Sequence, residues 1–69
     1  MLPHEQRVID ERNDLEIKID ALAKFFKSDT CKYILQRERD MLRLQFTAMQ
    51  TYSEILRIRI RNFGLPEKA

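Results

Sequence analysis

MLRLQFTAMQTYSEILRIRIRNF, residues 41–63, decides the fold of this chain, because its apolar residues recur every seven positions. One row contains Leu42, Met49, Leu56 and Phe63, with Leu35 one heptad earlier, and an adjacent row contains Met41, Ala48 and Ile55. Spacings of three, four and seven residues place side chains on one side of an α-helix. The stretch therefore predicts a long helix that packs against other helices.

A shorter stretch with the same spacing lies upstream. Val8, Leu15 and Leu22 form one row, and Ile19 and Phe26 form the row beside it. Pro3 suits a first helical turn, where its missing N–H would have no partner. The chain is predicted to be one domain, 1–69, with helix 1 at about 3–27, a corner at 28–30, helix 2 at about 31–63 and a tail at 64–69.

These two helices predict an all-α fold, a two-helix antiparallel hairpin. The predicted hairpin core consists of Val8, Leu15, Ile19, Leu22, Phe26, Leu42, Met49, Tyr52, Leu56 and Phe63. Ser28-Asp29-Thr30 are turn formers and mark the corner. Whether residues 31–36 continue helix 2 or form a separate turn is open at this point. Residues 56–61 alternate as a strand would, but they have no second strand to pair with.

Arg12 lies seven residues before Ile19, in the apolar stripe of helix 1, where an aliphatic residue is expected. One interpretation is a side chain that extends its charged end to water near the end of the bundle. The other is a buried ion pair that sets the register between helices.

Helix 2 is apolar on more sides than one neighbouring helix can cover. Leu44 and Ile58 lie in a further row, and Phe46 and Ile60 in yet another. A chain of 69 residues is also below the roughly 70–80 residues at which one core is usually sufficient. Cys31 is the only cysteine, so an intrachain disulfide cannot compensate. We therefore expect a homo-oligomer, most simply two hairpins in a helical bundle.

The positive charge is concentrated in the second half. Residues 4–27 contain five Lys/Arg and six Asp/Glu, whereas residues 31–63 contain seven and three. A nucleic-acid-binding domain usually shows a concentrated basic stripe and a recognisable motif, and here acids lie among the arginines. The expected partner or oligomer surface is Arg37, Arg43, Leu44, Phe46, Arg57, Ile58, Ile60 and Arg61.

The sequence offers no residues for catalysis, so we expect a protein that is not an enzyme. It contains no Gly-rich phosphate loop, no nucleophile paired with a histidine and no HExxH spacing, and one His and one Cys are too few for a zinc site. We therefore expect no cofactor and no metal. There is no secretory signal pattern and no apolar run of about 18 residues, which favours the cytoplasm over a membrane.

Beyond these patterns, the chain resembles a family of short helical proteins of tailed phages and prophages. The resemblance begins at Arg7-Val8, continues through Glu11, Leu15, Ile19, Leu22, Phe26 and Ser28-Asp29, and resumes with Gln45, Met49, Tyr52-Ser53, Leu56 and Arg59-Ile60. Its most distinctive segment is residues 49–60. The chain is similar to the small early proteins of lambda-like phages, which implies a non-enzymatic accessory protein in the bacterial cytoplasm that acts on host physiology or defence.

The functional prediction is therefore an accessory protein that self-associates and binds a host protein. Two alternatives are open: a small nucleic-acid-associated protein that uses the arginines of helix 2, and a structural coiled-coil subunit. The salt dependence of binding distinguishes the nucleic-acid-associated protein from the self-associating accessory protein. Phosphate binding weakens steeply as salt rises, whereas apolar association does not.

Overall fold

The computed structural model describes residues 2–64, and within them the chain is entirely helical. Helix α1 spans Pro3–Phe26, a 3-10 helix spans Asp29–Tyr33, and helix α2 spans Gln36–Asn62. Residues 56–61 belong to α2, and no strand occurs between residues 2 and 64. The predicted all-α class is thereby confirmed.

Local hydrogen bonds explain how α1 begins and ends. Pro3 occupies the first turn, and the Leu2 backbone N–H donates to the Glu5 carboxylate at 2.9 Å, which satisfies one of the donors that a helix start leaves free. At the other end the Ser28 hydroxyl donates to the Phe25 carbonyl at 2.6 Å. Helix α1 therefore ends one residue before the predicted 27.

The start of α2 differs from the predicted position near residue 31. Residues 29–33 form the 3-10 helix, and Ile34 and Leu35 are extended, with ψ of 156° and 144°. Two extended residues interrupt an α-helix, so α2 begins at Gln36. The 3-10 helix directs Cys31 inward, where it is 5% exposed.

The C-terminal end of α2 lies close to its predicted place. The helix ends at Asn62, and Phe63 keeps helical angles as its cap. Gly64 has no positive φ, so it does not adopt the left-handed conformation that often follows a helix. The rest of the predicted tail, residues 65–69, lies outside the described residues.

Contacts between the helices run in reverse order along the chain. His4 meets Phe63 with ring centroids 6.3 Å apart, Tyr52 donates a hydrogen bond to Glu11, and Phe26 meets Phe46 with centroids 5.5 Å apart. The helices therefore lie antiparallel. The helix pair is 52 Å long, and its radius of gyration is 16.0 Å. A compact domain of this length would have a radius of gyration of about 11 Å, so the pair is elongated.

One stripe of α2, which we call the inner seam, faces α1. It consists of Arg39, Leu42, Phe46, Met49, Ser53, Leu56, Ile60 and Phe63, all buried or half-buried. Ser53 is 3% exposed and Leu56 is 0% exposed. The spacing alternates between three and four residues, as in the seam of a coiled coil.

Most of the predicted core lies at this contact. Val8 is 7% exposed, and the half-buried members are Leu15, Ile19, Leu22, Phe26, Leu42, Met49 and Phe63. Tyr52 is different, because it is 42% exposed. It lies beside the inner seam, and its hydroxyl donates a hydrogen bond to Glu11 of α1.

Candidate interaction surfaces

A second stripe of apolar residues runs along α2 on a side that does not face α1. We call it the outer seam, and it consists of Met41, Leu44, Ala48, Thr51, Ile55 and Ile58. Its four large side chains are Met41, Leu44, Ile55 and Ile58, which are 57%, 63%, 49% and 41% exposed. The spacing again alternates between three and four residues. The outer seam therefore has the pattern of a helix-packing surface without a helix against it among residues 2–64.

The residues predicted as a partner or oligomer surface do not form one patch. Leu44 and Ile58 belong to the outer seam, whereas Phe46 and Ile60 are half-buried in the inner seam. The physical reason is position. Phe46 and Ile60 lie four residues, about one helical turn, after Leu42 and Leu56. They are therefore on the same side of α2 as these two residues and face α1.

Sequence reasoning missed Met41, Ala48 and Ile55 as members of the exposed surface. Their heptad spacing is visible in the sequence, but it predicts only a row adjacent to that of Leu42 and Leu56, not a separate exposed surface. The signal that separates the two rows is the combined three–four pattern: Met41 continues to Leu44, whereas Leu42 continues to Phe46.

The predicted arginines are exposed, and local contacts occupy two of them. The Arg43 guanidinium lies 5.2 Å from the centre of the Phe26 ring, and Arg57 is bonded to Glu54. This pairing lowers the pKa of Glu54 and raises the pKa of Arg57 through their side-chain hydrogen bond. Arg57 and Arg61 lie one turn apart, whereas Arg37 lies at the end of the outer seam. A broad cluster of free cations therefore does not form on α2.

A polar cluster interrupts the inner seam near its middle. The Ser53 hydroxyl donates to Glu16 Oε1 at 2.7 Å, and Arg12 Nε donates to the Ser53 carbonyl at 3.3 Å. Arg12 also forms an ion pair with Glu16 at 3.2 Å. A shift of one heptad would place Phe46 or Ile60 here and would leave Glu16 without the hydroxyl. The cluster therefore favours one register between the helices.

Arg12 thus combines parts of both sequence interpretations. It forms an ion pair, but with Glu16 of its own helix, and its side chain is 29% exposed. Its contact across the helices is to a backbone carbonyl, which every residue supplies. That is why the side-chain pattern alone did not identify Ser53 as its neighbour.

An open cleft of about 400 Å³ lies next to this polar cluster. It is lined by Arg7, Asp10, Glu11, Asp14, Leu15, Lys18 and Tyr52. The lining contains two cations and three acids, so neither sign of charge dominates. The most specific contact in it is the hydrogen bond from the Tyr52 hydroxyl to Glu11.

This hydrogen bond predicts a pH effect. The Glu11 carboxylate accepts from the neutral phenol, so it raises the pKa of Tyr52, with partial desolvation and the charge of Glu11 as smaller causes and Arg59 opposing. Stabilisation by this bond is complete below about pH 10, the ordinary tyrosine value. It is lost as the pH rises through the folded-state pKa.

The measurement uses a Tyr33→Phe background, in which Tyr52 is the only tyrosine. We expect Glu11→Ala to lower the pKa of Tyr52, as followed by phenolate absorbance. Asp14→Ala is the matched control, because Asp14 lines the same cleft without bonding to Tyr52. An equal fall in both variants would mean that general charge, not the hydrogen bond, sets the pKa.

Within residues 2–64, no helix is both long and apolar enough to cross a lipid bilayer.

Comparison with known proteins assigns this chain to a family. A family model described as Sequestin matches residues 2–62. The chain is also 38% identical over 63 residues to a protein of Enterobacteria phage T4, described as "Uncharacterized 7.5 kDa protein in denB-rIIB intergenic region". That alignment covers 91% of this chain and 98% of the T4 protein, and no solved structure matches. The prediction of a small phage protein is confirmed, and its lambda-like detail stays a prediction.

Proposed function

The chain belongs to the Sequestin family, and we propose that it is a non-enzymatic phage or prophage accessory protein that self-associates and binds a host factor. Through that binding it would modulate host physiology or defence. The observation that carries the proposal is the exposed outer seam of α2. The family name, Sequestin, is in keeping with a protein that acts by holding what it binds.

The energetic argument starts from the four large side chains of the outer seam. Full burial of a Leu, Ile or Met side chain is worth about 1.5–3 kcal/mol. These four are 41–63% exposed, so a substantial part of that gain is still available to each. Because they line one stripe, a single helical partner could cover them together.

The total surface supports the same conclusion. The accessible surface is 5786 Å², whereas a compact monomer of 8.4 kDa would expose about 4,600 Å². A typical stable interface covers about 800 Å² on each partner. Association is therefore a direct way for this elongated helix pair to reduce its exposed surface.

The host factor would contact the exposed edge of α2 that carries Arg43, Arg57 and Arg61. Arg43 and Arg57 are separated by two heptads, and Arg61 lies one turn beyond Arg57. All three are exposed, and two of them also make local contacts, Arg43 with the Phe26 ring and Arg57 with Glu54. A host protein with acidic groups facing this edge fits the arrangement.

The test uses the full chain. Light scattering over a range of concentrations should show more than one copy per particle at both low and high salt. Affinity capture from bacterial lysate, read by mass spectrometry, should retain a specific host protein at physiological salt, where exposed charge pairs are only partly screened. Arg43→Ala with Arg57→Ala should reduce that capture, whereas Lys24→Ala with Lys27→Ala, which removes the same charge from α1, should not.

Two results would overturn the proposal. One is a stably folded single copy at every concentration. The other is capture of nucleic acid alone with a steep loss as salt rises, because displaced counterions make phosphate binding salt-dependent.

A further inference from the structure

Residues at both ends of the outer seam suggest what covers it. Glu38 and Asp40 flank its beginning, and Arg59 and Arg61 flank its end. The ion pairs found within residues 2–64 use none of these four side chains. Glu38 and Arg59 thus lie along one flank of the outer seam, at opposite ends of the helix, and Asp40 and Arg61 lie in the same way along the other flank.

We propose that a second copy of this chain covers the outer seam, with the two α2 helices antiparallel and Ala48 of each copy opposite Thr51 of the other. This inference rests on the proposed self-association and specifies its surface. The two-fold axis would pass beside residues 49 and 50. The α2 helices would form the centre of the assembly, and each α1 helix would lie outside its own α2.

The apolar residues of the seam match in this arrangement. In an antiparallel pair centred here, Met41 lies opposite Ile58 of the other copy, and Leu44 lies opposite Ile55. The small pair Ala48 and Thr51 meets at the centre, where it permits close approach of the backbones. Large residues thus meet large residues on both sides of a small centre.

The charges match in the same register. Coiled-coil geometry places Glu38 beside Arg59 of the other copy along one flank, and Asp40 beside Arg61 along the other. The symmetry produces each contact twice. In a parallel pair the flank contacts would instead join Asp40 to Gln45 and Glu54 to Arg59 of the other copy. Glu54 is already paired with Arg57, and Glu38 and Asp40 would have no oppositely charged neighbour across the seam.

A polar residue lies just beyond each end of the outer seam. Arg37 precedes Met41 by four residues, and Asn62 follows Ile58 by four. In the same antiparallel register Arg37 lies opposite Asn62 of the other copy. The apolar surface therefore ends at both edges of the pair, which limits growth into longer assemblies.

The first experiment exchanges the flanking charges. One variant combines Glu38→Arg with Asp40→Arg, and the other combines Arg59→Glu with Arg61→Glu. Each replaces attraction between the two copies by repulsion, so each should raise the dissociation constant of the pair by about tenfold. All four substitutions in one chain should restore association to near the original value. Circular dichroism checks that each variant keeps its helices, and the restored four-site variant controls for damage to folding.

The second experiment reports the direction of pairing. In a Cys31→Ser background, Met41→Cys and Ile58→Cys variants should form disulfide-linked pairs when mixed. Neither should do so alone, because two copies of position 41 would lie about 25 Å apart along the axis. A parallel pair predicts the opposite result, with each variant linking to itself.

The outcomes separate this inference from the proposed function. If the chain assembles but the charge variants associate equally or position 41 links to itself, the antiparallel seam is wrong and self-association stands. If the chain stays a single copy, both are wrong.

Discussion

Leu56→Ala is expected to remove most of the folding stability of this protein. Leu56 is 0% exposed, and its side chain is the largest that is fully buried within the described residues. Truncation of a buried Leu to Ala costs about 2–5 kcal/mol, because apolar contact is lost and a cavity remains. A domain of this length gains only about 3–5 kcal/mol from its core. Urea unfolding followed by far-UV circular dichroism should show the loss directly.

The control for Leu56→Ala is Ile17→Ala. Ile17 is 69% exposed on α1, and Ala is the better helix former by a few tenths of a kcal/mol. Its stability should therefore stay equal or rise slightly. Both variants are measured at several protein concentrations, because self-association stabilises the folded state by mass action. If Ile17→Ala loses as much as Leu56→Ala, the proposed difference between the buried and exposed faces of the helices is wrong.

The importance of Leu56 could be predicted from sequence, because it lies in the longest heptad row of the chain. The predicted helices follow from the same repeat, and so does the side of each that carries apolar residues. Periodicity is a property of the chain itself, and burying one stripe is what stabilises an amphipathic helix.

The junction between the helices could not be predicted in the same way. Cys31, Ile34 and Leu35 are apolar and fit either a helix or a turn. The structure resolves this through backbone angles, with Ile34 and Leu35 extended, and through burial of Cys31. These features depend on how the 3-10 helix packs against α1, which a local pattern does not contain.

The division of α2 into two seams was only partly visible in the sequence. Phe46 and Ile60 are as apolar as Leu44 and Ile58, and a row of two members says little about which neighbour it faces. The inner seam is distinguished by Ser53 and its contacts with Arg12 and Glu16. A buried polar group requires partners, so the position of Arg12 in the first stripe was the available signal for this register.

Phe26→Ala is expected to have the next largest effect, at the end of the helix pair nearest the corner. The Phe26 ring meets Phe46 edge to face, with centroids 5.5 Å apart at 81°, and it carries the Arg43 guanidinium on its face. Truncation of a fully buried Phe costs about 3–5 kcal/mol. Phe26 is half-buried, so we expect a loss of roughly 2–3 kcal/mol, measured by urea unfolding. Tyr33→Ala is the control, because Tyr33 is 86% exposed.

A double-mutant cycle separates the ring contact from simple loss of volume. Phe26→Leu, Phe46→Leu and the combined variant keep aliphatic side chains at both positions, so the cavity stays small. Aromatic pairs in edge-to-face geometry contribute about 0.5–1.5 kcal/mol beyond burial, and the coupling energy of the cycle should fall in that range. Additive losses would mean that the two rings act only as bulk. Loss of the Phe26 ring also frees Arg43, so the Phe26→Leu variant should bind an acidic host partner through this edge at least as well as the original chain.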